Sequence, residues 1–252
     1  MRLADAREKL TKVRVDGGGA PRYPVREVLA SVRGALFRGD RIECSCCDRT
    51  FSHFLYSPYF TARCPYCLSV ERYRVLCRFL RGRSDFADGP VRVLDIAPMW
   101  WFQEFCRSYE NIDYMSIDIR SPLAMRHMDI RHLDLDDASF DWIFCSHVLE
   151  HVDDDMGALR ELLRVLKPGG TAIIQVPVEA ERTIERRELG PVEQVELLKF
   201  PDHLRVYGPD FAEKLADAGF HVEIARPVEG LDETEVARCG LDPGEDLFVC
   251  SK

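Results

Sequence analysis

Between Val91 and Val152 the chain reads as strand, turn and helix three times over. Val91-Arg-Val-Leu-Asp95 is a short apolar run ending in a carboxylate. It passes through Ile96-Ala97-Pro98 into Trp100-Trp101-Phe102-Gln103-Glu104-Phe105, which can begin a helix. Ile112-Asp-Tyr-Met-Ser-Ile-Asp118 is a second such run. Phe140-Asp-Trp-Ile-Phe-Cys-Ser146 is a third, and His147-Val-Leu-Glu-His151 is expected to open the helix after it. An acidic side chain at the tip of the second strand is placed to accept hydrogen bonds from ribose hydroxyls, which singles out Asp118. In Met128-Asp129-Ile130 an acidic and an apolar residue adjoin as they would to grip an adenine amino group and one ring face.

Later segments continue the alternation. A strand is expected over Thr171-Ala-Ile-Ile-Gln-Val176, a helix over Pro209 to Gly219 closed by its glycine, and strands over Phe220 to Ala225 and Asp246 to Cys250. Leu231 to Leu241 reads as helical. The long polar segment from Glu179 to Leu198 is the one extended insertion. Its place between a strand and the last helix puts it above the carboxyl ends of the strands, as a lid over about 179–208. Val192, Val195, Leu197 and Leu198 also allow an amphipathic helix packed downward.

Asp95, Asp118, Asp129-Ile130, the segment Phe140 to Val152 and Leu166-Lys-Pro-Gly-Gly170 together resemble the class I S-adenosylmethionine-dependent methyltransferases. The resemblance covers about residues 91–250. It implies a Rossmann-like α/β fold: a mostly parallel seven-stranded sheet with helices on both faces. It also implies that Asp95, Ala97, Pro98 and Ser146 lie at the cofactor, Asp118 at its ribose, and Asp129 with Ile130 at its adenine. The family's glycine-rich turn after the first strand stands here as Ala97-Pro98-Met99-Trp100. Glycine in that turn lets backbone approach the ligand closely, so this departure leaves open a binding protein that has lost its cofactor.

Composition adds an asymmetry. Of 252 residues, the first 90 carry 17 Lys/Arg against 10 Asp/Glu, a balance of +7, and the rest carry 17 against 33, a balance of −16. An acidic main domain is a poor general surface for nucleic acid, which needs clustered cations. The basic N-terminal third, whose residues 1–40 form an arm with a flexible break at Gly17-Gly-Gly19, keeps RNA docking as an alternative. No stretch approaches the roughly 20 apolar residues of a membrane span. The N-terminus lacks a signal peptide's apolar centre, so a cytoplasmic location is expected, with no membrane partner. Ten cysteines in such a chain are thiols or metal ligands more often than disulfides.

Cys44-Ser-Cys-Cys47 and Cys64-Pro-Tyr-Cys67 are two Cys-x-x-Cys turns separated by sixteen residues. That spacing suits a tetrahedral structural zinc site with Cys44, Cys47, Cys64 and Cys67 as ligands. Cys46 and His53 are the alternatives nearby. The module spans about 41–82, and its last part, Ser69 to Leu80, has helical spacing with Ser69 as cap. A contiguous methyltransferase domain is expected over 83–252. Two cysteine pairs, Glu71-Arg72-Tyr73-Arg74, the core, His203-Leu-Arg205-Val-Tyr207-Gly208 and Leu247-Phe-Val-Cys250 resemble a bacterial family of zinc-ribbon-bearing methyltransferases. Because the module's helix enters the core beside the cofactor strand, Arg72 is placed to pair with the cofactor carboxylate, or else it is a helix-surface arginine.

Methyl transfer needs an acceptor held in line and somewhere for its proton to go. His147 and His203 are the candidate catalytic residues. His147 and His151, at i and i+4, are expected to share a helix face. His203 in the later loop either takes the proton or shapes the pocket. The expected activity is methylation of an oxygen or nitrogen of a small molecule, a sugar or specialised metabolite.

Overall fold

The computed structural model describes residues 14–15, 21–22, 24–57 and 60–252. Most of the expected arm before Pro24, with its Gly17-Gly-Gly19 break, lies outside the described residues. The chain divides into two compact units. One holds the described residues up to Asp88 together with Met99–Glu110 and Arg226–Glu245; the other holds Gly89–Pro98, Asn111–Ala225 and Asp246–Lys252.

The second unit is built on a seven-stranded sheet. Its strands are β1 (Val91–Ile96), β2 (Ile112–Asp118), β3 (Arg126–His127), β4 (Phe140–Ser146), β5 (Leu166–Gln175), β6 (His221–Ala225) and β7 (Leu247–Ser251), in the order β3-β2-β1-β4-β5-β7-β6. β1 to β5 run parallel, and β7 lies antiparallel between β5 and β6. This is a Rossmann-like, mostly parallel sheet. Strands covered on both faces read as nearly continuous apolar runs, which is why β4 is buried at Phe140, Trp142, Ile143, Phe144 and Cys145. Leu94, Ile96, Ile117, Ile143, Ile174 and Phe248 belong to one buried core. β5 begins at Leu166 rather than Thr171: Phe140 pairs with Leu166, the register breaks, and Trp142 pairs with Thr171, so Lys167–Gly170 is taken up in a bulge.

The helix after β4 also differs from expectation. His147 has φ +55°, a left-handed conformation that cannot start a right-handed helix. Leu149–His151 makes a single 3₁₀ turn. The helix Asp155–Val165 starts only after Asp154, whose side chain accepts from Gly157 N–H at 2.9 Å. His147 and His151 therefore share no helix face.

In the first unit, Arg38–Cys44 pairs with Arg49–Phe51, and Leu55–Ser57 with Phe60–Arg63. The helices are Pro24–Leu36, Glu71–Arg81, Ser84–Ala87, Trp100–Arg107 and Glu233–Cys239. The helix Trp100–Arg107 joins this unit through its aromatic rings. Trp101 lies 4.6 Å from Tyr73, and Phe105 stacks on Phe102 and Phe86. A contiguous 83–252 domain thus gives way to a division that interleaves along the chain. Among the described residues no helix is long and apolar enough to cross a membrane.

Among the described residues Arg74 is the largest fully buried side chain. Its guanidinium donates to the carbonyls of Ser69 (2.6 Å), Ala62 (2.9 Å), Cys239 (3.0 Å) and Gly240 (2.6 Å), and lies over the Phe54 ring at 4.4 Å. It ties the distant Cys239–Gly240 to Ala62 and Ser69 at one point. Arg74→Leu leaves those carbonyls buried without donors, and we expect a loss of about 3 kcal/mol, roughly 6 to 12 °C in Tm. Thermal melting checks this, and an unchanged Tm would contradict it.

Candidate functional site

Two residues leave the carboxyl ends of neighbouring strands in the same unusual way. Ala97 follows β1 with φ +56°, and His147 follows β4 with φ +55°. Each still donates to the next strand, Ala97 N–H to Ile117 O at 2.8 Å and His147 N–H to Gln175 O at 2.9 Å. A left-handed non-glycine residue costs on the order of 1 kcal/mol. Ala97 thus supplies the backbone bend that a glycine would take without strain. Both residues line one open cavity of about 850 Å³, together with Asp118, Met128, Asp129, Ile130, Val148 and His151. The strand order reverses between β1 and β4, and open α/β sheets bind ligands at such a reversal.

The carboxylates differ in state. Asp118 Oδ1 accepts the N–H groups of Arg120 and Ser121, both at 2.6 Å, which fixes the turn that aims the side chain. Asp129 is held by Arg131, whose Nε lies 3.0 Å from Oδ1 and whose Nη2 lies 2.6 Å from Oδ2. These hydrogen bonds keep its carboxyl down at about 2. Asp95 does not line the cavity. It is buried at the end of β1, accepts from Tyr114 Oη at 2.5 Å, and burial pushes its carboxyl up to about 7 against that hydrogen bond. Pro98 is buried beside Ala97, and Ser146 Oγ is buried without a hydrogen-bond partner.

Beside this cavity stands a group of polar side chains. His147 Nδ1 lies 3.2 Å from Glu150 Oε1, and Glu150 is only 1% exposed. His147 Nε2 and Glu150 Oε2 are both buried without partners. The rings of His151 and His203 meet edge to face at 4.8 Å. Burial holds the His203 imidazole below its ordinary value, so it is neutral near pH 7. His203 stands outside the cavity lining, while its neighbours Asp202 and Leu204 are within it.

Arg205 organises this turn. It is buried, and its guanidinium donates to the carbonyls of Leu149, Val152 and Asp153 and to Glu185. Tyr207 Oη donates to Asp155 at 2.8 Å. Arg205 and Tyr207 stand within one sequence motif that assigns them no role, and Glu150 reads from the sequence as either a solvent-facing helix residue or a wall of the substrate pocket. The segment expected as a lid pairs Ile184–Glu185 with Arg205–Val206 and carries the helix Pro191–Leu198. Leu198 of that helix is buried and Leu197 half-buried, while Val192 and Val195 are exposed, so the downward packing is confined to its last turn.

Arg72 belongs to the first unit. Its guanidinium lies over the Tyr73 ring at 4.9 Å, and it lines a cavity there with Met99, Trp100 and Trp101. In the same unit the four expected cysteines converge. Cys44 and Cys67 sulfurs are 3.6 Å apart, and Cys47 and Cys64 sulfurs 3.7 Å. Sulfurs on bonds of about 2.3 Å to one tetrahedral ion sit about 3.8 Å apart, so the cluster fits a four-sulfur metal. Cys46 instead points to Tyr73 O at 3.5 Å, and His53 Nδ1 to Ser52 Oγ. Ser69 does not cap the helix, which starts after Val70. Its hydroxyl lies 3.3 Å from Cys44 Sγ and 3.1 Å from Cys67 Sγ, where it serves the sulfurs.

Residues 102–174 match the family model described as a methyltransferase domain. The chain is 32% identical over 110 residues to 27-O-demethylrifamycin SV methyltransferase of Amycolatopsis mediterranei, covering 39% of this chain and 40% of the relative. It is 31% identical over 117 residues to a probable S-adenosylmethionine-dependent methyltransferase of Mycolicibacterium smegmatis, covering 46% and 42%. The chain therefore spans about two fifths of the length of these curated relatives. The fold is that of the S-adenosylmethionine-dependent methyltransferase from Mesorhizobium loti, with a TM-score of 0.50 and 17% identity over 69% of this chain and all of the other. Family model and relatives agree on a likeness to methyltransferases, and the solved structure shares the fold.

The Asp95 carboxyl has a thermodynamic consequence. Folding raises its pKa from 3.8 to about 7, so between these values the folded state binds the extra proton and stability falls as pH rises. Asp95→Asn removes that dependence. The Tm of the variant relative to wild type is expected to climb from pH 4 to pH 7 and then level off; a difference independent of pH would refute the assignment.

Proposed function

We propose that the chain is a cytoplasmic S-adenosylmethionine-dependent methyltransferase acting on an oxygen or nitrogen of a small molecule, a sugar or specialised metabolite. The observation that carries this is the convergence of Ala97, Asp118, Asp129, Ile130 and His147 on one cavity at the reversal of strand order. The residues suit the cofactor. Asp118, aimed by two backbone N–H groups, would take the ribose hydroxyls; Asp129 and Ile130 would take the adenine edge and face. Asp95, Ala97, Pro98 and Ser146 would border the methionine part. Bound S-adenosylmethionine supplies a methyl group on an electrophilic sulfonium.

The chain's own work is to hold the acceptor and receive its proton. When His147 Nδ1–H donates to Glu150, Nε2 is left as the acceptor atom, so Glu150 sets the tautomer that a general base needs. His203, neutral and packed on His151, would shape the acceptor's place. A small-molecule oxygen as the acceptor is in keeping with the relative named for 27-O-demethylrifamycin SV. The four-cysteine cluster would hold a structural Zn²⁺, with no position left open for catalysis.

Calorimetry with S-adenosylmethionine separates these roles. Asp118→Ala removes hydrogen bonds to a charged group worth about 1.5 to 3 kcal/mol, so binding should weaken about 10- to 100-fold. His203→Ala should leave binding intact and lower turnover. Equal binding losses would overturn the division. Steeply salt-dependent RNA binding would favour an RNA acceptor, and no saturable cofactor binding would favour a non-catalytic protein. Elemental analysis should find zinc in the cysteine cluster at one ion per chain, released by Cys64→Ser; unchanged zinc in that variant would remove Cys64 from the ligand set.

A further inference from the structure

Beside the proposed cofactor cavity, Glu150, His151 and His203 bring three ligand atoms within 4.8 Å of one another. Two independent features make this more than a chance meeting of polar residues. Glu150 is 1% exposed, and its Oε2 is buried with no partner, while Oε1 faces His147 Nδ1. A buried carboxylate oxygen without donor or cation is costly. The segment that presents it is also braced: Arg205 holds the carbonyls of Leu149 and Val152, and Glu150 O accepts from Leu204 N–H at 2.7 Å. That last bond fixes the turn carrying Glu150 and His151 against the loop carrying His203.

We propose that Glu150, His151 and His203 form a binding site for a divalent transition-metal ion, separate from the four-cysteine cluster. Two imidazoles and one carboxylate suit Zn²⁺, Mn²⁺, Co²⁺ or Fe²⁺, and three protein ligands leave coordination positions open. Glu150 Oε1 on His147 then acts as an outer contact that orients the carboxylate. His151, Val152, Asp202 and Leu204 line the cavity, so the open positions lie beside it. Resting on the methyltransferase reading, this extends it to the acceptor: a molecule with two adjacent oxygens, such as a catechol or an α-hydroxy acid, chelates the ion. The ion lowers the pKa of the oxygen it holds, and the proton released passes to His147 Nε2. His203 is then a ligand, and the base is His147 alone.

The test uses the full chain with zinc already in its cysteine cluster, dialysed against Mn²⁺ or Co²⁺ alone. Wild type should take up one further ion per chain, and Co²⁺ should give the weak visible bands of nitrogen and oxygen ligation rather than intense sulfur charge transfer. Glu150→Gln and His203→Ala should each weaken uptake about 100-fold. His151→Ala, at a more exposed position, provides the same comparison should Glu150→Gln fail to fold. Uptake of no further ion by wild type would overturn the site, as would equal uptake in wild type and folded variants. S-adenosylhomocysteine binding, measured on the same samples without added metal, reports on the methyltransferase reading separately: its loss with metal uptake retained removes that reading and leaves the metal site standing.

Discussion

The reversal of strand order between β1 and β4 is the constraint on which the site depends. In a parallel sheet each crossover covers one face, and the chain must turn at the carboxyl end of every strand. Where crossovers on the two sides part company, the turns separate and leave a crevice. Ala97 and His147 are the first residues past the two strands that flank this crevice, and both pay for the turn with a left-handed backbone. The sheet core of Leu94, Ile96, Ile117 and Ile143 supplies the rigidity that makes such strain affordable. Asp118, one strand over, is aimed by its own turn, so three positions around the cavity are set by strand ends rather than by flexible loops.

Polar groups near the cavity are left in states that a finished core would not tolerate. Ser146 Oγ, His147 Nε2 and Glu150 Oε2 are buried without partners, whereas Arg205 nearby satisfies three carbonyls and Glu185 at once. The contrast separates two kinds of buried polarity. Arg205, like Arg74 in the other unit, is saturated and holds segments together. Groups around His147 are unsaturated and poised for something that enters, because leaving them empty costs free energy.

Much of the site was legible because its signals are local. A carboxylate closing an apolar run marks Asp118, Asp129 follows a short apolar step, and two Cys-x-x-Cys turns announce a four-sulfur cluster. What escaped the sequence was non-local. A glutamate in His147-Val-Leu-Glu-His151 looks like any helix-surface acid, yet in the fold it is buried. The same five residues look helical until the left-handed His147 breaks them. Aromatic residues after β1 could equally have covered the sheet, yet their rings join Tyr73 and Phe86 in the other unit. Ser69 has the sequence position of a cap and spends its hydroxyl on two sulfurs.

The central claim is that the crevice between β1 and β4 holds the nucleoside of S-adenosylmethionine. A crystal structure of the full chain with S-adenosylhomocysteine tests it most directly. The account predicts the ribose hydroxyls on Asp118 and the adenine ring against Ile130, with the sulfur near Ala97. Ligand bound anywhere else in the chain, or a crevice that stays empty at saturating ligand, would contradict it.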